Sequence, residues 1–218
     1  MRFSHLLFDL DGTLANSRPG IFSSAAAALR EHGLAVPHEL NLRIGPPIIE
    51  SIKHILGSGH EHLFESMLKT FRKSYATRGV YEAHLYHGIL EGLQQMRERE
   101  RHMYVVTLKA RPFAVEMIRY QNVHSFFRQI YGPSLTGIRQ TKTELLEDAL
   151  RREYIPARHA VMIGDTDNDI KAARALGVYS IGVTWGFGSH EELRDSGAHA
   201  IVHSPQELFA LLTEERPS

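Results

Sequence analysis

The sequence predicts an α/β protein, with a doubly wound parallel sheet covered by helices on both faces and a helical segment inserted after the first strand. Three observations carry this expectation. A short apolar run near the start of the chain ends abruptly in charged residues. From residue 89 onward, short apolar runs alternate with amphipathic stretches, the pattern of strands joined by helical crossovers. Between these regions, residues 17 to about 80 carry helical periodicity and no convincing strand pattern.

Taken in order, Leu6-Leu7-Phe8 reads as a buried strand. Ser17 and Pro19 look like a helix start, the alanine-rich run 21–30 continues it, and Gly33 is a plausible stop. Residues 48–56, after Gly45-Pro46-Pro47, and residues 62–78, before Gly79, complete a small helical bundle. Beyond it, helices are expected at 89–100, 112–120, 143–154 and 169–176. Each leads into a strand, at 103–106, 129–131, 160–163 and 179–183 respectively. The tail repeats the unit weakly, with a strand at 200–202 and a helix at 205–212. The expected organisation is a core of residues 1–16 and 82–218 around an insert of residues 17–81.

The chain has 218 residues, enough for one core domain and a smaller insert, and is 43% hydrophobic and 23% charged, an ordinary globular balance. Lys and Arg together number 25 and so do Asp and Glu. No basic field therefore favours a nucleic acid polymer or an anionic membrane. The absence of cysteine excludes disulfides, thiol nucleophiles and cysteine-held metals, and fits a reducing compartment. No export signal and no apolar run of membrane-spanning length is evident, so a cytoplasmic location is expected. The 14 histidines are scattered, and the pairs His60/His62 and His84/His87 lack partner ligands, so they read as surface residues.

The chemistry concentrates where apolar runs end. The first run closes on Asp9-Leu10-Asp11-Gly12-Thr13. If the backbone stays extended, the period of two puts both carboxylates on one side and Leu10 in the core. Gly12 permits a close turn and Thr13 adds a hydroxyl donor, both of use to a bound ligand. Converging carboxylates repel and lose solvation, so a cation or a reaction explains them better than a charged turn does. A second signature is Thr107, directly after Tyr104-Val-Val106, with Lys109 two residues on. A third is Gly164-Asp165-Thr166-Asp167-Asn168-Asp169, directly after Val161-Met-Ile163. Taken singly, Thr107 is an ordinary strand-end residue, Asp165 could be a helix cap, and Lys142 could be a solvated lysine rather than a group serving an anion. Three signatures at the carboxyl edge of one parallel sheet point instead to a ligand site. Trp185 and Phe187 suit either the entrance to that site or the core.

Together these residues resemble the haloacid dehalogenase superfamily, in its phosphatase branch. The match runs through Asp9-Leu-Asp11-Gly12-Thr13, Thr107, Lys142 and Gly164-Asp165-x-x-x-Asp169, in the family's order and approximate spacing. The helical insert is similar in place to the family's cap domain, so the resemblance covers nearly the whole chain. Gly45-Pro46-Pro47, Gly79-Val-Tyr81-Glu82 and Thr184-Trp185-Gly186-Phe187-Gly188 resemble the phosphoglycolate phosphatase group and its 5′-nucleotidase-like branch. The chain departs from many relatives at His87, where they carry proline, and at Thr143, where they carry proline after the lysine.

The resemblance implies a Mg²⁺-dependent phosphomonoesterase working through an aspartyl-phosphate on a small phosphate ester. Phosphoglycolate and nucleoside monophosphates are the leading substrates. It implies Asp9 as nucleophile, Asp11 as general acid and base, and Thr107 and Lys142 as phosphoryl-holding groups. It also implies metal ligation by Asp9, the Asp11 backbone carbonyl and Asp165, with Asp169 joining through water or orienting Lys142. Gly12, Thr13, Lys109 and Arg43 are the candidate substrate contacts. The second aspartate argues against dehalogenation. A phosphomutase of the same fold and a non-catalytic scaffold remain as alternatives, and the oligomeric state is left open.

Overall fold

The computed structural model of the chain describes residues 3–37, 42, 44–45, 48–57, 59–135 and 140–214. Its strands are β1 (His5–Phe8), β2 (Ala15–Asn16), β3 (His84–Leu85), β4 (His102–Val106), β5 (Phe127–Tyr131), β6 (Ala160–Gly164), β7 (Tyr179–Val183) and β8 (Ala200–Val202). The helices are α1 (Arg18–Glu31), α2 (Ile48–Leu56), α3 (Phe64–Thr77), α4 (Ile89–Glu98), α5 (Arg111–Tyr120), α6 (Lys142–Arg152), α7 (Asp167–Ala175), α8 (His190–Asp195) and α9 (Pro205–Thr213).

Six strands form one sheet in the order β5-β4-β1-β6-β7-β8, with every neighbouring pair parallel. Because the chain winds outward from β1 to β4 and β5, then crosses to β6 on the other side, β1 is the point where the winding reverses. A crevice opens at the carboxyl end of such a strand. The alternation along each strand sorts its side chains into two cores. Leu6, Phe8, Met103, Val105, Val161 and Ile163 join one cluster, and Leu7, Tyr104, Val106 and Met162 the other. The second cluster is closed by Leu145, Leu146 and Ala149 of α6 and by Ala172 and Ala173 of α7. The first extends into the helical segment through Ala25 and Leu29 of α1, Ile52 of α2, and Met67 and Phe71 of α3.

Both crossings between the sheet and these helices lie side by side. β2 and β3 pair antiparallel, Ala15 opposite Leu85 and Asn16 opposite His84. This two-residue ribbon carries no sequence pattern long enough to announce it. Nor does α8, a polar six-residue helix whose buried residue is Leu193.

Two helices begin earlier than their apolar periodicity suggests, because hydrogen bonds set their starts. In α6, Thr141 caps the helix: its hydroxyl accepts from the Glu144 backbone N–H at 3.2 Å, and the Glu144 carboxylate accepts from the Thr141 N–H at 2.7 Å. In α7, the N–H and hydroxyl of Thr166 both donate to Asp169 Oδ2, at 3.1 and 3.0 Å. Among the described residues, no helix is long and apolar enough to cross a membrane.

Candidate active site

The Asp9 backbone N–H donates to the Ile163 carbonyl at 2.8 Å, one residue past the end of β1. The chain then bends at Leu10, which is buried as expected. The extended geometry expected between Asp9 and Asp11 is therefore replaced by a turn, closed by the Gly12 N–H on the Ala15 carbonyl at 2.9 Å. Both carboxylates still reach one cavity. Gly12 has φ +87°, and a Cβ there would overlap the Asp165 carboxylate and the Phe187 ring, so the turn admits only glycine. The Thr13 hydroxyl is fully buried and donates to Asp165 Oδ1 at 3.3 Å. It thus braces the acidic cluster.

At the end of β6, Asp165 is fully buried, and its Oδ2 accepts from the Phe187 backbone N–H at 2.7 Å. Of the two readings open for Asp165, the capping role falls to Thr166, the next residue. Trp185 supports the same region, its indole N–H donating to the Thr13 carbonyl at 3.0 Å. The Phe187 ring lies under the Arg18 guanidinium, 5.2 Å from it. Both aromatics buttress the turn that carries the acids.

Two lysines face these acids. Lys142, the first residue of α6, is buried and contacts Asp9 Oδ1 at 2.6 Å and Asp169 Oδ1 at 2.7 Å. It is not the solvated lysine that its sequence position alone allowed. Burial works against its charge, but Asp169 and Asp9 more than offset this and hold its pKa above the ordinary value. Lys109 spans both oxygens of Asp11 at 2.9 Å, and its backbone N–H donates to the Thr107 hydroxyl at 3.1 Å. Burial, then the negative charge of Asp169, pushes the Asp9 pKa up to about 6, with Lys142 pulling the other way. Burial, followed by the charges of Asp9 and Asp169, holds Asp165 well above the usual carboxylate range.

Asp9, Asp11, Asp165 and Asp169 against Lys142 and the nearly enclosed Lys109 side chain leave a formal excess of two negative charges at the site. Such an excess is costly unless a cation neutralises it. Asp9, Asp165 and Asp169 each present a carboxylate oxygen within 4.8 Å of the others, the one such grouping among the described residues. This all-oxygen donor set fits a hard divalent ion such as Mg²⁺. The histidine pairs join no such group among the described residues.

Asp9, Asp11, Thr107 and Lys109 share their cavity with Ile48 and Ile49 of α2 and Phe71 and Tyr75 of α3. The fold thus brings together the nucleophile candidate, its acidic and basic neighbours and a wall from the helical segment. Arg43 lies outside the described residues. Tyr75, an aromatic at helical spacing, is a core residue that also borders this cavity. Thr141 and Thr166 were legible in principle, as threonines followed three residues later by an acid.

Residues 6–183 match the family model of the haloacid dehalogenase-like hydrolases. Among curated relatives, the chain is 37% identical over 213 residues to a 5′-nucleotidase of Pseudomonas aeruginosa, covering 97% of this chain and 95% of that one. It is 32% identical over 201 residues to the tyrosine-protein kinase PtkA of Mycobacterium tuberculosis, covering 91% and 68%. A phosphoglycolate phosphatase of Nitrosococcus oceani is 28% identical over 217 residues, covering 96% of each. Among solved structures, a predicted phosphatase from Clostridium acetobutylicum superposes with a TM-score of 0.89 at 32% identity, covering 99% of this chain and 100% of that one.

Proposed function

The chain belongs to the haloacid dehalogenase-like hydrolases, and from that membership we propose a Mg²⁺-dependent phosphomonoester hydrolase that works through an aspartyl-phosphate. The observation that carries this reading is the placement of Asp9. It is a buried carboxylate at the reversal point of the sheet, in contact with Lys142 and within reach of Asp165 and Asp169.

Asp9 attacks the phosphorus and needs no base, since a carboxylate ionises below neutral pH. Lys142 and Thr107 hold the phosphoryl oxygens, Lys142 placing positive charge where negative charge accumulates. Asp11 protonates the departing alkoxide and then takes a proton from the water that cleaves the intermediate. Asp165 and Asp9, with the Asp11 carbonyl, would hold Mg²⁺, which when bound neutralises the repulsion between carboxylate and phosphate. Asp169 steadies Lys142 through their 2.7 Å contact. Residues 17–81 serve as the cap: α2 and α3 supply a wall of Ile48, Ile49, Phe71 and Tyr75, with Ser51 and Arg72, that excludes bulk water and meets the alcohol half of the substrate.

The substrate is a small phosphate ester. The phosphoglycolate reading draws on the sequence motifs and the Nitrosococcus relative. The nucleoside monophosphate reading draws on the higher identity to the Pseudomonas nucleotidase and on the apolar wall. A scaffold would have no use for five buried charged groups at Asp9, Asp11, Lys142, Asp165 and Asp169.

The test is phosphate release from phosphoglycolate, sugar phosphates and nucleoside monophosphates at one low concentration, compared by kcat/KM. Activity is expected to vanish in chelator and to return with Mg²⁺ but poorly with Ca²⁺, whose longer bonds disturb the attack geometry. Full turnover in excess chelator would overturn the metal role. An isomeric ester in place of free phosphate would identify a mutase, and phosphotyrosine formed from ATP would identify a kinase.

A further inference from the structure

Helix α3 buries one stripe of its surface. Leu68, Phe71 and Tyr75 recur at intervals of three and four residues, and each is 5% exposed or less. Arg72 falls within that stripe, four residues after Leu68 and three before Tyr75. It is partly buried, whereas the two lysines of the helix, Lys69 and Lys73, are exposed. A charge on the inner face of a helix is costly unless an opposite charge or an acceptor meets it. Arg72 meets neither: among the described residues it has no carboxylate within ion-pair distance, no hydrogen bond and no aromatic partner.

The catalytic cavity borders this face of α3. Arg72 lines it from the helical side with Ile48, Ile49 and Phe71, while Thr107 and Lys109 line it from the sheet. Of the two cations in that lining, Lys109 is committed, its ammonium bonded to both oxygens of Asp11 at 2.9 Å. Arg72 is uncommitted. A guanidinium is planar, permanently charged and able to give two parallel hydrogen bonds, a geometry that matches a carboxylate or a phosphate. On the phosphomonoesterase reading, the transferred phosphoryl group is held from the sheet side by Thr107 and Lys142. An anion for Arg72 therefore belongs to the part of the substrate that meets the helices, the alcohol half.

We propose that Arg72 is a specificity-determining residue that binds a second anionic group, a carboxylate or a phosphate, on the alcohol half of the substrate. This rests on the phosphomonoesterase reading of the same site. The substrate class is a phosphomonoester with negative charge at both ends and a carbon stretch between them, which lies against Ile48 and Ile49. An ester of a neutral alcohol leaves the guanidinium without a partner and is the poorer substrate.

Two pairs of esters test it, each pair differing in the charge at the far end: phosphoglycolate against its amide, and propane-1,3-diol bisphosphate against 3-hydroxypropyl phosphate. Their kcat/KM values are measured in the wild type, Arg72→Gln and Arg72→Lys. Binding of the matching phosphonates, in which methylene replaces each ester oxygen, is followed by calorimetry in the same proteins. The wild type is expected to prefer the charged member of at least one pair about ten-fold, the weight of a charge-assisted hydrogen bond. The pair with the larger ratio names the anion. Arg72→Gln should bring that preference close to unity, mainly through KM, with kcat for the neutral members within about two-fold of wild type. Arg72→Lys should restore part of it. No preference in either pair would overturn the proposal. So would equal losses on charged and neutral members in Arg72→Gln, which would put the guanidinium on the phosphoryl group or in a structural role. If no ester turns over but a phosphonate preference is present and falls in Arg72→Gln, the hydrolase reading fails and the assignment of Arg72 stands.

Discussion

On the sheet side of the cavity, Asp9, Asp11, Thr107 and Lys109 stand on strand ends and tight turns, with each carboxylate met by an ammonium group. On the helical side, the carbon-rich Ile48, Ile49, Phe71 and Tyr75 line it together with Ser51 and Arg72. The first wall takes its precision from backbone: a strand register, a left-handed glycine and two capped helices place short side chains to within hydrogen-bond distance. The second takes its shape from packing, where many interchangeable contacts share the load. Damage to the sheet side should therefore destroy chemistry and spare the fold. Damage to the helical side should change which alcohol is accepted.

The sharpest contrast should come from Asp9→Asn. Turnover is expected to fall on the order of 10⁴–10⁶-fold, the scale of losing a covalent nucleophile. The metal-free fold should survive, since one charge is removed from a crowded acidic cluster. Substantial phosphate release from a sequence-verified sample would remove Asp9 from the mechanism.

Asp11→Asn should be less severe and depend on the leaving group. Alkyl esters are expected to slow ~10²–10⁴-fold. An activated aryl ester needs no proton to depart, so it should give a burst near one equivalent of product and then a slow steady state. Equal losses on both esters without a burst would mean the proton comes from elsewhere.

The charged wall also predicts a pH signature in stability. Asp9 in the fold has a pKa of about 6 against an ordinary 3.8, so the folded state holds the proton more tightly than the unfolded chain. Its protonated form favours folding, and that stability is lost as pH rises from about 4 through about 6. In metal-free protein, wild type should fall relative to Asp9→Asn across this window by about 1–3 kcal/mol. Denaturant titrations at several pH values measure the difference, and parallel curves would contradict it. Saturating Mg²⁺ should abolish the slope, because the ion competes with the proton.

The smallest effect belongs to the helical wall. Ile49 is only partly buried, so Ile49→Ala should raise KM for an apolar ester about five-fold with kcat within about two-fold. A collapse of kcat would show that this wall also aligns the reacting atoms.

The same division governs what could be read from the chain beforehand. The acids of the sheet wall follow apolar runs directly, so their place at one edge of a parallel sheet was legible from Asp9, Thr107 and Asp165. The partnership of Lys142 with Asp169 came only from the family resemblance, not from any local pattern. It depends on α6 starting one residue before the periodicity does, and the Thr141–Glu144 cap decides that. Asp165 was ambiguous for a similar reason, since the cap of α7 belongs to Thr166. Tyr75 drew no notice either: it is a core aromatic that borders the cavity only because distant segments meet there.

The ribbon of β2 and β3 has a consequence for how such a protein can change. It brings Asn16 against His84, so to the sheet everything between them is a single loop with its ends already closed. Closure entropy grows only slowly with loop length. Exchanging that loop for a longer or shorter one should therefore disturb the strand ends little, provided the two-residue clasp is kept. On the proposed reading, evolution can then replace the part that meets the alcohol while inheriting the part that breaks the bond.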